Sequence, residues 1–317
     1  MNSQSIFHFL KDGGQLTKAE ALVLAEEPAQ ALQGLADQVR RHFCGDGFHL
    51  CSIINGKSGR CSEDCKYCAQ SSHYQTHIET YGLLPAKEII QTACGNYQQG
   101  VHRFSIVTSG KGLTDEEFHQ ICRTVEALKK TCSIQLCASH GFLTAAQFRQ
   151  LKAAGISRYH NNLETSQSFF PQICTTHTYA DKINIIKAAQ QAGLEVCSGG
   201  IIGLGETMAD RIDLAITLRE LNVTSIPINI LNPIPGTPLG NQPTLQPEEI
   251  QKTMAIFRLL NPAKEIRLAG GRTLLPDRGS SLFNGGINAV ITGDMLTTAG
   301  ISIATDKGLA QAAGYTL

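Results

Sequence analysis

Arg103-Phe-Ser-Ile-Val-Thr108 reads as a short buried strand, and the alternation that runs on from it decides the fold. A helical pattern near residues 114–130 leads to a second apolar run, Ser133–Ala138. Another helical pattern near 144–154 leads to a third run, Arg158–Leu163. Strands joined by helices lie parallel, because the helix carries the chain back to the edge from which the strand began. The alternation extends outward on both sides. Upstream stand His49–Ile54 and a helical pattern near 86–98. Downstream come Glu195–Ile201, Thr224–Ile230, Glu265–Ala269 and Asn288–Thr292, with helical patterns near 179–192, 206–221, 247–259 and 277–284. Eight runs of this kind predict an α/β fold, a TIM-type (β/α)8 barrel with its active residues at the C-terminal strand ends. An open doubly wound sheet is the rival.

Residues 43–317 are therefore expected to form the barrel and residues 1–42 a helical arm. In the arm, Thr17-Lys-Ala-Glu20 fits a capping box, and Leu22, Leu24, Ala25, Ala29, Leu32, Leu35 and Val39 make an apolar stripe. No linker or low-complexity stretch divides the rest.

A chain of 317 residues, 42% hydrophobic and 17% charged, can bury a sizeable core and is neither disordered nor collagen-like. Basic and acidic residues balance at 27 each, so neither nucleic acid nor an anionic membrane is an expected partner. No apolar run reaches transmembrane length, and the N-terminus lacks the order of a secretory signal. The expected location is the reducing cytoplasm. Eleven cysteines are many for that compartment and ask for a metal or redox explanation.

Cys61-Ser-Glu-Asp-Cys65-Lys-Tyr-Cys68 supplies it. Three thiolates within eight residues can wrap one soft-metal centre. Structural zinc wants four protein ligands, for which Cys44, His49 or His73 are candidates. Three cysteines suit a [4Fe-4S] cubane better, with one iron left open for a small molecule.

The spacing resembles the radical S-adenosylmethionine enzymes. That resemblance implies that the open iron chelates S-adenosylmethionine, whose reductive cleavage releases a 5′-deoxyadenosyl radical that abstracts an unactivated hydrogen. Tyr67 would lie against the adenine. The likeness narrows further, because Lys57-Ser-Gly-Arg-Cys-Ser-Glu-Asp-Cys-Lys-Tyr-Cys-Ala-Gln-Ser71 resembles the biotin synthases. Matching blocks recur in order: Tyr159–Ser166, Val196–Glu206, Ile226–Asn229, Ile266–Arg272 and Met295–Thr298. Together they cover roughly residues 45–300. The family inserts sulfur into dethiobiotin, taking it from an auxiliary iron–sulfur cluster inside the barrel. The resemblance further implies an electron donor such as flavodoxin or ferredoxin, and a homodimer.

By the same resemblance, Asn162, Glu164, Lys182 and Gly203 would help bind the cofactor, and His160, Asn162, Asn229, Thr297 and Thr298 the substrate. The family often has Asp at Glu164, Arg at Lys182 and Asn at His160. From the residues themselves, Asn162 and Glu164 alternate with Leu163 and could point inward together. Gly199-Gly-Ile-Ile-Gly-Leu-Gly205 would let backbone approach a ligand.

One departure stands out. Familiar relatives hold the auxiliary cluster with three cysteines and an arginine; Cys137, Cys197 and Arg267 match, but Ser105 occupies the strand-two position. A neutral serine is a poor ligand for iron beside thiolates. Cys51, on strand one, is the candidate replacement. Barrel layers draw inward side chains from alternate strands, so Cys51, Cys137, Cys197 and Arg267 could face one centre. The familiar cluster has two irons; three thiolates and one weak donor suggest four. Cys44, Cys94, Cys122, Cys132 and Cys174 are read as ordinary packing. A radical enzyme of the hydrogenase-maturation or methylornithine-synthase type, and a non-catalytic zinc- or cluster-binding protein, are the competing readings.

Overall fold

A computed structural model describes residues 2–317. Its strands are β1 (His49–Lys57), β2 (Arg103–Thr108), β3 (Gln135–Ser139), β4 (Arg158–His160), β5 (Glu195–Cys197), β6 (Gly200–Ile202), β7 (Ser225–Ile230), β8 (Glu265–Leu268) and β9 (Ala289–Ile291). All pair in parallel, and β9 closes back onto β1. Two of the nine, β5 and β6, share one barrel position, and both pair with β7. The result is a closed eight-position (β/α)8 barrel.

The fifth run, continuous in the sequence reading, is interrupted at Ser198-Gly199. A Cβ at Gly199 would stand 1.9 Å from the Pro227 carbonyl oxygen, and one at Gly200 2.4 Å from that of Glu164. These glycines therefore let neighbouring segments of the barrel touch, rather than clearing space for a ligand. β4 also stops earlier than expected, at His160, because its register partner Cys197 is the last residue of β5.

Helices α1 (Ser3–Lys11), α2 (Lys18–Ala25) and α3 (Ala29–Cys44) form the arm; α2 packs on α8 (Met208–Glu220), and α3 on α9 (Pro247–Leu260). The arm's last helix ends at Cys44, two residues past the expected boundary at 42. The outer ring is completed by α4 (Ala86–Gln98), α5 (Asp115–Thr131), α6 (Ala145–Ala154) and α7 (Tyr179–Gln191), and α10 (Ile303–Ala312) follows β9. The helix expected near 277–284 is only a 3-10 turn, Ser280–Leu282. Five helices, α2 and α5 to α8, start with a threonine capping box, which satisfies free backbone donors at both ends of the box. Among the described residues, no helix is long and apolar enough to cross a membrane.

Candidate active site and its metal-binding thiols

Period-two alternation sends every second strand residue into the barrel. There they line a cavity of about 410 Å³. Cys51 enters from β1, Cys137 from β3, Cys197 from β5 and Arg267 from β8. All four are buried, and none of the chain's cysteines is in a disulfide. The thiols sense one another and Arg267 electrostatically. Burial pushes the Cys51 thiol up to about 12, and raises Cys137 and Cys197 as well. Neutral thiols are thus favoured until a metal displaces their protons. Ser105, beside Cys137 in the β2–β3 register, also lines the cavity, and its buried hydroxyl has no partner.

Sequence reasoning missed two more guanidinium groups here. Arg103 lies 3.6 Å from the Cys137 sulfur through Nη1, and Arg158 lines the wall beside it. Arg267 donates to Glu265 at 2.8 Å, to the Val290 carbonyl at 2.8 Å and to that of His49 at 3.3 Å. Burial alone would lower its pKa, but Cys51 and Glu265 raise it, so it stays a cation. A guanidinium has no lone pair to offer iron. To serve as the expected metal ligand, Arg267 would have to give up a proton and its bond to Glu265.

The Cys61–Cys68 loop follows β1 and carries three half-buried thiols. Tyr67 and Cys68 form part of the cavity wall. Burial pushes the Cys68 thiol up to about 11 and raises the Tyr67 hydroxyl well above its ordinary value. Glu164 faces the same space with Oε2 buried and unpartnered, as does Asn161 with Oδ1. Soft donors beside unpaired polar atoms fit an iron–sulfur cluster with a polar small molecule next to it. The candidate zinc partners do not converge: Cys44 contacts the Pro262 and Lys264 carbonyls, and His49 starts the opposite end of β1. His73 reaches only the Ser62 carbonyl.

Asn162 and Glu164 do reach one cavity, together with Lys182 of α7, although both lie beyond the end of β4. Gly203 is not on the cavity wall; its N–H donates to Glu206 at 2.9 Å, and Ile201 takes the wall position. His160 keeps some surface toward the cavity, yet desolvation pushes it down to about 4 and leaves it neutral. Asn229 also lines the space, but its amide braces the barrel, donating to the Gly200 carbonyl and accepting from Gly270 N–H. Thr297 and Thr298 sit at the mouth on a turn closed by Met295 N–H to the Thr298 carbonyl at 3.0 Å.

Residues 57–218 match the Radical SAM superfamily, and residues 227–316 match the Biotin and Thiamin Synthesis associated domain. The chain is 56% identical over 304 residues to biotin synthase of Clostridium botulinum strain Hall, covering 96% of each protein. It is 49% identical over 313 residues to that of Akkermansia muciniphila, covering 99% of this chain and 98% of the relative. Its fold resembles the crystal structure of methylornithine synthase at a TM-score of 0.85, with 18% identity, over 98% of this chain and 96% of that one. Such low identity carries the barrel architecture alone. A radical S-adenosylmethionine barrel that shares half its residues with biotin synthases along nearly its whole length belongs to the biotin synthase family.

Proposed function

We infer that this chain inserts sulfur into dethiobiotin to make biotin, drawing the sulfur from a second iron–sulfur centre in the barrel. As a radical S-adenosylmethionine enzyme of this family, it uses a [4Fe-4S] cluster and S-adenosylmethionine. When bound, they supply a carbon radical able to take hydrogen from unactivated carbon. Cys61, Cys65 and Cys68 would hold that cluster, and Glu164, Asn162, Lys182 and Tyr67 would orient the cofactor beside it. Thr297 and Thr298 would receive the substrate carboxylate at the mouth, with His160 and Asn229 toward the ureido ring.

The observation that carries the sulfur-insertion reading is the convergence of Cys51, Cys137 and Cys197 on one buried cavity. Arg103, Arg158 and Arg267 around them supply cationic charge for an anionic centre. Because Arg267 is committed as a cation, three thiolates and an exogenous ligand fit best, which favours a four-iron centre with an extra sulfide at its open corner. A terminal sulfide can leave with less damage than a bridging one. The test is anaerobic incubation with dethiobiotin, S-adenosylmethionine and a reductant, with biotin measured. Biotin formed together with 5′-deoxyadenosine supports the reading; 5′-deoxyadenosine without biotin, from protein holding both clusters, defeats it.

A further inference from the structure

The segment after the 3-10 turn Phe170–Gln172 lies against the cysteine loop and brings a fourth thiol to it. The Cys174 sulfur is buried and stands 3.8 Å from that of Cys65. His177, also buried, presents Nδ1 3.3 Å and Nε2 3.8 Å from the same sulfur. Donor atoms of Cys65, Cys174 and His177 all lie within 4.8 Å of one another, and neither Cys61 nor Cys68 joins them. Asp64 Oδ1 is 3.2 Å from Cys174.

The Cys65–Cys174 and Cys174–Nε2 spacings are those of a mononuclear site. Zinc–sulfur bonds of about 2.3 Å at tetrahedral angles separate two thiolates by about 3.8 Å, and a thiolate from an imidazole nitrogen by about 3.6 Å. Glu63 holds His177 through Nδ1 at 2.6 Å, which leaves Nε2 as the ligand atom. A carboxylate on the ring nitrogen that does not bind the metal is the usual support for a metal-binding imidazole.

We propose that, while the chain carries no radical cluster, Cys65, Cys174 and His177 bind one thiophilic divalent cation such as zinc, with Asp64 or water as fourth ligand. Both thiols release their protons to solvent, and the imidazole binds in its neutral form. Cys65 cannot serve two centres, so the cation competes with cluster assembly. The site concerns the cluster-free chain and stands apart from sulfur insertion, since its test reads metal binding and not biotin.

The full chain, prepared anaerobically without iron, is titrated with cobalt(II). One equivalent should bind with sulfur-to-metal charge-transfer absorption and tetrahedral ligand-field bands, and zinc should displace it. Cys174→Ser and His177→Ala should each weaken binding by about tenfold or more, whereas Cys68→Ser should change it less than about twofold. One equivalent of zinc added before iron and sulfide should slow the growth of cluster absorbance in wild type but not in Cys174→Ser. Absence of stoichiometric binding, binding that survives both weakening substitutions, or binding lost with Cys68→Ser would each overturn the proposal.

Discussion

Arg158 grips the Glu265 carboxylate with both terminal nitrogens, at 2.7 and 3.1 Å, across 107 positions of sequence. The same carboxylate accepts from Arg267 at 2.8 Å. One anion therefore fixes two buried guanidinium groups beside three thiols, and the local charge is positive until a thiolate-bound centre is built there.

Replacing Glu265 with glutamine removes that shared anion. Arg158 keeps Glu195 at 2.9 Å, but buried Arg267 loses its carboxylate. An unpaired buried charge costs about 3–5 kcal/mol, so urea denaturation of the cluster-free chain at neutral pH should show a loss of that order. Burial would raise the Glu265 pKa, but Arg267 and Arg158 outweigh it and hold the carboxyl well below the usual carboxylate range. Its contribution is complete above the unfolded value of about 4.3 and fades as pH falls through the lower folded value. Glu265→Gln should flatten that acid-side loss. A variant as stable as wild type at neutral pH contradicts the pairing.

Cys51 should decide the iron count. Mössbauer spectroscopy with iron analysis on anaerobically purified protein should give about eight irons per chain, falling to about four in Cys51→Ala. A wild-type count near six, with a two-iron spectrum that persists without Cys51, would assign the remaining ligand to Ser105 or water.

Radical generation and sulfur transfer should separate by position. Cys65→Ala should abolish cleavage of S-adenosylmethionine to 5′-deoxyadenosine, and the barrel should survive because Cys65 sits on a loop. Cys137→Ala and Cys197→Ala should keep some cleavage and make no biotin. Wild-type biotin yields from both barrel variants would place the sulfur source elsewhere.

His160 should report on acid stability. Desolvation holds it near 4, below its unfolded value of about 6.5, so the fold favours the neutral ring. Its contribution is complete above the unfolded value and is lost as pH falls toward 4. Across that window, His160→Asn should reduce the slope of unfolding free energy against pH by ~1.4 kcal/mol per unit. An unchanged slope in the cluster-free chain means that the ring is already charged in the fold.

Strand order and most helices were legible because burial imposes periods of two and 3.6 on the sequence. The break in the fifth run was not: Glu195–Ile201 is a continuous run, and only the approach of Pro227 shows why Gly199 ends the ladder. The thiols of the cysteine loop and the barrel were readable from spacing and resemblance. Cys174 was not, since its partner Cys65 lies 109 residues earlier and the fold alone joins them. Arg103 and Arg158 occupy inward positions of their strands, a signal the alternation carried, yet buried arginine is credible only once its partners are in view, Glu265 for Arg158 and Ser157 with Gln135 for Arg103.

The split at the fifth position has a mechanical meaning. β5 meets β7 through a single register pair, Cys197 with Ser225, and β6 resumes the ladder with three more beyond the break at Ser198-Gly199. That interruption is a seam within one barrel position, and Cys197 stands at its edge. A cluster anchored at Cys51, Cys137 and Cys197 would rivet that seam to the far side of the wall. Backbone amides around Val196–Ser198 would then exchange with deuterium faster whenever the cluster is consumed, so that the sulfur donor's state is written into the breathing of the barrel itself.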